Sequence, residues 1–271
     1  MCSMTKTLSI VTSNIRYAEP TDEPQSWSNR RDFLAERLLD FGPDLLATQE
    51  GRKWQVDEVT ERLIGLTRID AHREWIADLM YPCLFYNEKE LTLRESGDIW
   101  LSKSPSLVGS RSFGSEFPRL CTWATFEEGL FAVNVHLDNE HSDTRVHQIR
   151  VLLQQIRELQ RTSRHAVLMG DFNEAPDGPV RTTIGEEWPE LTDPWLELGL
   201  AEESSHHCFG ESIEYGSRVD WILSGPSLVA EEIFLDKSQT DDGIYPSDHF
   251  ILKARFALAT CDESRDDAEH E

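Results

Sequence analysis

Lysine is scarce in this sequence, and positive charge is scarce altogether. The 271 residues include 26 lysines and arginines, of which six are lysines, against 50 aspartates and glutamates, for a formal net charge of −24. Proteins that bind long nucleic acids need many cationic side chains, because these replace the counterions of the phosphates. A broad basic groove for polynucleotides is therefore disfavoured, whereas a small basic pocket stays open. A lysine-poor, acidic surface also suits high salt, although arginine-rich codon usage explains it equally well.

Long apolar runs, an apolar N-terminal leader and paired cysteines are missing too. No stretch of about 18 apolar residues is present, so we expect no membrane span. The chain passes from Lys6 straight into a strand-like segment, so we expect no signal peptide. The five cysteines are scattered without a CxxC pair, which argues against a disulfide framework or a zinc knuckle. Together these absences predict a cytoplasmic protein.

The sequence does contain an alternation of strand-like and helix-like segments over nearly its whole length. Hydrophobic residues make up 39% of the chain, which is enough for a sizeable core. No repeat and no linker rich in glycine, serine or proline divides it. We interpret residues 1–258 as one domain and residues 259–271 as an acidic, disordered tail.

The apolar patterns place the individual elements. Amphipathic helices are predicted at 28–40, 52–64 and 143–160. Buried strands are predicted at 8–14, 44–48, 83–86, 90–94, 98–102, 120–127, 130–137, 166–169, 218–223 and 250–254. Ser96-Gly97 and Glu128-Gly129 are predicted turns of an antiparallel meander.

Polar side chains recur at the ends of these strands. Carboxyl ends of predicted strands carry Asn14, Glu50, His136, Asp171 with Asn173, and Asp220, and Asp248-His249 stands just before a strand. One such residue is usually a turn former, but ligand sites also form at strand ends, so the whole set indicates a site. Carboxylates suit Mg²⁺ or Mn²⁺. Histidines act as proton acceptors or phosphate donors, and asparagines are neutral donors, so the set suits phosphate-ester hydrolysis.

In their order, the motifs around these residues resemble those of the endonuclease/exonuclease/phosphatase superfamily, which has the fold of pancreatic-type deoxyribonuclease. The motifs are TSNIR (12–16), PDLLATQE (43–50), NVHLD (134–138), GDFN (170–173), RVDWI (218–222) and PSDHF (246–250). A further stretch, 85–102, is similar to a small bacterial branch. The resemblance implies an α/β (α+β) four-layer sandwich, in which helices flank two packed, mostly antiparallel sheets.

The resemblance also implies roles at the cation and the attacking water. Glu50 would hold a Mg²⁺ or Mn²⁺ ion, with Asn14 and Asp248 near it. Asp171 would orient or activate the water. Asn173 would contact the phosphoryl group.

On the phosphate side, the resemblance implies roles for two histidines. His249 would bond the scissile phosphate or act as a base, with Asp220 fixing its tautomer. His136 would bind phosphate. Relatives often have a phosphate-binding arginine at the position of Arg119, but an arginine at a strand start is equally often an ordinary surface residue. Relatives carry a glutamate that steadies the histidine matching His136. Here Asp78 is the nearest acid, one or two residues out of register, so either Asp78 substitutes or His136 lacks this partner.

Other polar residues receive structural interpretations. Arg145 and Gln148 lie one turn apart on the long predicted helix, and we interpret them as a solvated face, although the bacterial branch has arginine and glutamine in the same arrangement. His206-His207-Cys208 looks like a metal motif, but adjacent residues in an extended segment point to opposite sides and cannot readily chelate one ion.

The resemblance therefore implies a metal-dependent phosphoesterase that uses an activated water for in-line attack. The net charge favours a small phosphodiester or phosphomonoester as its substrate. A nuclease acting on DNA or RNA is the alternative. A catalytically silent binding module is a further alternative, which the complete set of acidic and histidine residues disfavours. Oligomeric state stays open.

Overall fold

The computed structural model describes residues 6–210 and 216–258. The tail predicted at residues 259–271 lies outside these ranges. In the part of the chain that is described, no helix combines the length and apolar character needed to cross a membrane.

Two mixed sheets form the centre of the fold. The six-stranded sheet contains, in spatial order, β10 (Leu228–Asp236), β11 (Ile251–Leu258), β1 (Thr7–Asn14), β2 (Leu45–Arg52), β4 (Met80–Tyr86) and β3 (Thr67–Ile69). The five-stranded sheet contains β5 (Leu93–Trp100), β6 (Leu120–Phe126), β7 (Leu130–His136), β8 (His165–Asp171) and β9 (Asp220–Ser224). Neighbouring strands are antiparallel except for β1 with β2 and β7 with β8.

Each parallel pair is connected through a long helix, because parallel neighbours need a crossover. Helix α1 (Trp27–Asp40) joins β1 to β2, and α3 (Ser142–Thr162) joins β7 to β8. The other described helices are α2 (Lys53–Thr60), α4 (Pro179–Glu187) and the single turn α5 (Pro194–Glu197).

The central strands of both sheets are buried on both faces, which produces four layers. In β1, Ile10 packs into the core between the sheets, whereas its neighbour Val11 packs against Leu34 and Leu38 of α1. Successive strand side chains point to opposite faces, so one apolar run serves both cores. Helices α3 and α4 cover the outer face of the other sheet in the same way. The predicted four-layer sandwich of two mostly antiparallel sheets is confirmed.

Several element predictions were wrong. The segments predicted at 90–94 and 98–102 are one strand, β5, and the turn predicted at Ser96-Gly97 lies inside it. A Cβ on Gly97 would lie 2.9 Å from the ring of Trp123, so this glycine makes room for an aromatic side chain. The helix predicted at 52–64 ends at Thr60. Strands β3 and β10 and helices α4 and α5 were not predicted.

The position of Asp220 also needs correction. The sequence placed it at the carboxyl end of a strand that began at Arg218, but β9 begins at Asp220. Strand β9 runs antiparallel to β8 and pairs Asp220 with Asp171. The start of β9 therefore meets the carboxyl end of β8 at one edge of the sheet.

Candidate active site

The two parallel pairs bring the predicted site residues to adjoining sheet edges. At the end of β1, Asn14 pairs in register with Gln49 of β2, and at the end of β7, His136 pairs with Asp171 of β8. A cavity of about 710 Å³ opens there, and its lining includes Glu50, Arg119, Asn173, His206, Asp248 and His249.

Two local backbone features position the carboxylates of Glu50, which lines this cavity, and of the buried Asp171. Glu50 has φ 66°, and the β2–β4 pairing is interrupted between Thr48 and Gly51, so the bulge turns Glu50 out of the strand alternation. Gly170 has φ 132°, and a Cβ there would lie 2.1 Å from the carbonyl oxygen of Val135. Only glycine allows β8 to approach β7 so closely just before Asp171.

Asn14 links two of the carboxylates. Its Nδ2 donates to Oε1 of Glu50 at 3.0 Å and to Oδ2 of Asp171 at 2.9 Å. The backbone N–H of Tyr17 donates to the other oxygen of Glu50 at 3.2 Å. The side chain of Asn14 is therefore buried between two acids that it holds at a fixed spacing.

These residues have the donor set that a hard divalent cation requires. One ligand atom from each of Glu50, His136 and Asp171 lies within 4.8 Å of the others. Carboxylate oxygens are preferred by Mg²⁺ and Mn²⁺, and the two acids lie near enough to share one ion. The predicted metal ligands Asn14 and Glu50 are thus in contact.

Asp248, the third predicted metal ligand, lines the same cavity but has different neighbours. Its Oδ2 lies 3.6 Å from Nε of Arg16 and 3.8 Å from Nε2 of His206. It also belongs to a second possible metal group, with His206 and His249. Burial would raise the pKa of Asp248, but the neighbouring histidines and Arg16 hold it well below its usual range.

Asp171 is buried among other acids, and this alters its protonation. Its Oδ1 accepts the backbone N–H of Asn173 at 2.8 Å. Burial, followed by the negative charge of Asp220, raises the pKa of Asp171 to about 6. A carboxyl group with such a pKa can exchange protons near neutral pH.

His249 is fixed by Asp220, as the sequence predicted. Its Nδ1 lies 2.8 Å from Oδ2 of Asp220. Burial would lower the pKa of His249, but the charge and hydrogen bond of Asp220 hold it well above its usual range. The imidazole therefore carries a proton on both nitrogens near neutral pH.

Ser205 supports this pair from behind. Its hydroxyl oxygen accepts the backbone N–H groups of Val219 at 2.9 Å and Asp220 at 3.1 Å. With both acceptor sites used, its one hydrogen points to Oδ2 of Asp220, at 2.6 Å. The backbone of the same segment also bonds the residue that follows His249, since Phe250 N–H donates to the carbonyl of Ser205 at 2.7 Å.

His136 contacts Arg119 rather than Asp78. Nη1 of Arg119 lies 3.0 Å from both ring nitrogens of His136, and both side chains are buried. Burial, the charge of Arg119 and that of His249 lower the pKa of His136 well below its usual value, so its ring is neutral. Asp78 is exposed at the rim of the cavity, and none of the described contacts joins it to His136.

Asn173 is held at the mouth of the cavity in a left-handed conformation. Its φ is 51°, and its Nδ2 donates to the carbonyl of Leu137 at 3.0 Å. Asn173 therefore connects the ends of β7 and β8.

Arg145 and Gln148 are not on a solvated face, so that interpretation was wrong. Both side chains are buried. Arg145 Nη1 donates to the carbonyl of Asp138 at 3.1 Å. The backbone N–H of Asp138 donates to Gln148 Oε1 at 2.8 Å. They fix the loop that follows His136.

Sequence reasoning missed His206 as a cavity residue. The segment belongs to no named strand, but an isolated bridge pairs His206 with His249, and the centroids of the two rings are 4.4 Å apart. His207 points to the opposite side and stacks on Phe250 at 4.1 Å, as the alternation predicted. Arg16 and Arg52 also line the cavity. The signal for Arg16 was available, since it ends the TSNIR motif.

A model of the endonuclease/exonuclease/phosphatase family matches residues 11–249 of the chain. This range holds all the predicted site residues. No curated protein gives a significant match to the sequence.

Solved structures share the fold at low identity. An endonuclease/exonuclease/phosphatase protein from Bacteroides vulgatus superposes with a TM-score of 0.83 at 24% identity, covering 93% of this chain and 99% of that one. A mannosyl-6-phosphatase from Bacteroides thetaiotaomicron gives 0.82 at 23% identity, covering 93% and 100%. TDP2 from D. rerio, complexed with a single-strand DNA product, gives 0.71 at 20% identity, covering 93% and 100%.

Proposed function

The chain belongs to the endonuclease/exonuclease/phosphatase family, and on that premise we propose that it hydrolyses the phosphoester bond of a small molecule with a divalent cation, Mg²⁺ or Mn²⁺. One observation carries the proposal. Glu50, a carboxylate-held histidine and a buried arginine line a single cavity, and Asn14 links Glu50 to the buried Asp171 behind it. At about 710 Å³ the cavity has the volume of a small-molecule site.

Glu50 and Asn14 are the residues that would hold the cation, with Asp248 on the adjoining wall. When bound, the cation supplies positive charge that neutralises the phosphoryl oxygens and the departing alcohol oxygen. His206, His249 and Arg16 together lower the pKa of Asp248 and so favour its ionised form, and the guanidinium of Arg16 lies 3.6 Å from that carboxylate.

Asp171 is the proposed base for the attacking water. Its pKa, raised to about 6, suits a group that accepts a proton near neutral pH. The water oxygen forms the new bond to phosphorus, its proton passes to Asp171, and the bond to the alcohol oxygen breaks on the opposite side. A solvent proton completes the alcohol.

His249 acts as a donor to the phosphoryl group. It lies on the same side as the base, because ligand atoms of Asp171, Asp220 and His249 are within 4.8 Å of one another. A doubly protonated imidazole there donates a hydrogen bond to a phosphoryl oxygen as negative charge builds up. Arg119 and Asn173 hold the remaining phosphoryl oxygens.

The net charge favours a small substrate over a polynucleotide. With a charge of −24, the chain repels a long phosphate backbone. The fold itself does not decide between a small substrate and a polynucleotide, since one structural neighbour is named for a phosphorylated sugar and another holds a DNA product.

The test is a hydrolysis panel of chromogenic phosphomonoesters and phosphodiesters, sugar phosphates and single-stranded oligonucleotides. We expect turnover of small esters that is lost in EDTA and restored by Mg²⁺ or Mn²⁺. Glu50→Gln, purified in the same way, controls for contaminating phosphatases. Full activity in EDTA contradicts the cation, and a clear preference for oligonucleotides supports the nuclease alternative.

A further inference from the structure

Three arginines line the cavity, and their surroundings differ. Arg16 pairs with Asp22 at 3.5 Å and Asp248 at 3.6 Å, and Arg119 lies against His136. Arg52 has no carboxylate within 4.0 Å among the described residues. Its guanidinium makes one described hydrogen bond, from Nη1 to the carbonyl of Ala18 at 3.3 Å, and its buried Nε has no partner there.

Several described arginines have no carboxylate within 4.0 Å, and Arg52 and Arg119 are the two of them that line this cavity. Acidic residues number 50 against 26 basic ones, so a carboxylate is available to most arginines. Arg68, near Arg52 in sequence, pairs with Asp57 and Asp70, both at 2.8 Å. Arg52 instead keeps hydrogen-bond donors available at the wall of the cavity.

The ring of Tyr17 holds Arg52 in place. The guanidinium carbon lies 5.1 Å from the ring centroid, and that of Arg16 lies 4.3 Å from it. The ring is tied to the reaction centre, because the N–H of Tyr17 bonds Glu50. A cation stacked on a fixed ring loses little rotational freedom when it binds an anion.

Arg52 is set apart from the reacting phosphoryl group. It lies two residues beyond Glu50, past the bulge and at the last position of β2. Its strand partner is Met80, which lines the same part of the cavity. A substrate with its phosphoryl group between Arg119 and His249 would direct its alcohol part towards the rest of the cavity wall, which includes Arg52.

We propose that Arg52 binds a second anionic group, a phosphate or a carboxylate, on the alcohol part of the substrate. This inference rests on the proposed function and narrows its substrate class to small phosphoesters that carry two anionic groups. Guanidinium binds such oxyanions through two parallel N–H bonds. Glu19, Asp78 and Glu140 also line the cavity, and their carboxylates suit hydroxyl donors. A phosphorylated sugar or sugar acid with a second charge has both features.

The test compares matched substrates that differ in the second charge. Glucose 1,6-bisphosphate and 6-phosphogluconate carry it, and glucose 6-phosphate does not. We expect kcat/KM to favour the charged members by about 10-fold or more, which corresponds to one charge-assisted hydrogen-bonded contact. In Arg52→Gln the ratio of kcat/KM for the charged members to kcat/KM for glucose 6-phosphate should fall to about one. The cause should be a higher KM for the charged members rather than a lower kcat. Arg52→Lys, which keeps the charge but loses the fork, should fall between.

Lys53→Gln is the matched control, because it removes one positive charge from the adjacent residue, which pairs with Asp57. It should keep the wild-type preference, and thermal melts of all variants check folding. If the wild type hydrolyses p-nitrophenyl phosphate but shows no preference for substrates with a second charge, the role of Arg52 is overturned and the proposed function is not. A preference that survives in Arg52→Gln overturns that role as well. Absence of all hydrolysis overturns the proposed function and this inference together.

Discussion

A single hydroxyl group, that of Ser205, sets the direction of the hydrogen bonds that end at His249. It accepts two backbone N–H groups, so its hydrogen can only serve Asp220. Oδ2 of Asp220 then receives donors from both Ser205 and His249, whereas its buried Oδ1 has no described partner. Ser205 is therefore a positioning residue, since it acts on the histidine through the acid.

Replacing Ser205 by alanine should affect both stability and turnover. Two buried N–H groups lose their acceptor, which should cost about 1–3 kcal/mol. We expect kcat to fall more than KM rises, because the orientation of His249 changes. Ser224→Ala is the control, since Ser224 is fully buried on β9 and its Oγ has no described partner. Denaturation curves and kinetics that are identical for the two variants would contradict this role.

His249 and Asp220 should behave as one unit in kinetics. His249→Ala should lower kcat by about 10²–10⁴-fold, the usual contribution of a positioned acid–base group. Asp220→Asn should lower kcat by a smaller factor, because the asparagine can still hold the imidazole ring of His249. The double variant should be little worse than His249→Ala alone. Losses that multiply in the double variant would show that the two residues act independently.

At the level of elements, period-two and helical patterns predicted the buried strands and the long helices. Those patterns fail where burial is partial. Strand β10 lies at a sheet edge, exposes its glutamates and has a register shift between Ala230 and Glu232, so its alternation is broken. Gly97 was predicted as a turn because glycine usually marks one. The ring of Trp123, which explains this glycine, lies on another strand.

The site residues were predicted from strand ends and from the family resemblance, but their neighbours were not. Sequence order does not tell which distant segment packs behind a strand end. The segment of Ser205 and His206 has no strand pattern, since its only ladder pairing among the described residues is an isolated bridge and its other contacts are single hydrogen bonds. Asp248 stands next to His249 in sequence, yet its contacts with Arg16 and His206 depend on the folding of three separate segments.

The segment of Ser205 and His206 continues with His207, from which we expect a pH dependence of stability. His207 is buried against Phe250 and Tyr245, and burial lowers its pKa from 6.5 to about 4. The unfolded chain binds a proton at this histidine below about pH 6.5, whereas the folded chain binds it only near pH 4. The contribution of neutral His207 to the free energy of unfolding is therefore complete above pH 6.5 and is lost progressively as the pH falls towards 4.

Removing that titration should flatten the pH profile. His207→Phe keeps the stacked ring but binds no proton. From pH 7 to pH 5 the free energy of unfolding should fall in both proteins. The fall should be about 2 kcal/mol smaller in His207→Phe than in the wild type. Urea denaturation at both pH values measures the difference. Parallel profiles for the two proteins would contradict the burial of a neutral His207.

For the whole molecule, the net charge of −24 should govern which substrates approach the cavity. Raising NaCl from about 10 mM to about 150 mM shortens the Debye length from about 30 Å to about 8 Å. At constant Mg²⁺, kcat/KM for a single-stranded oligonucleotide should then rise relative to that for a small uncharged-alcohol ester. Duplex DNA binding that weakens steeply with salt would instead indicate a cationic binding surface.

The site is divided between the two sheets. Strands β1 and β2 carry Asn14 and Glu50, whereas β7, β8 and β9 carry His136, Asp171 and Asp220. Neither sheet holds a complete set, and the contacts between Asn14 and Asp171 cross the interface of the sandwich. Turnover thus reports on sheet docking, and a laboratory selection for activity is at the same time a selection for the intact sandwich.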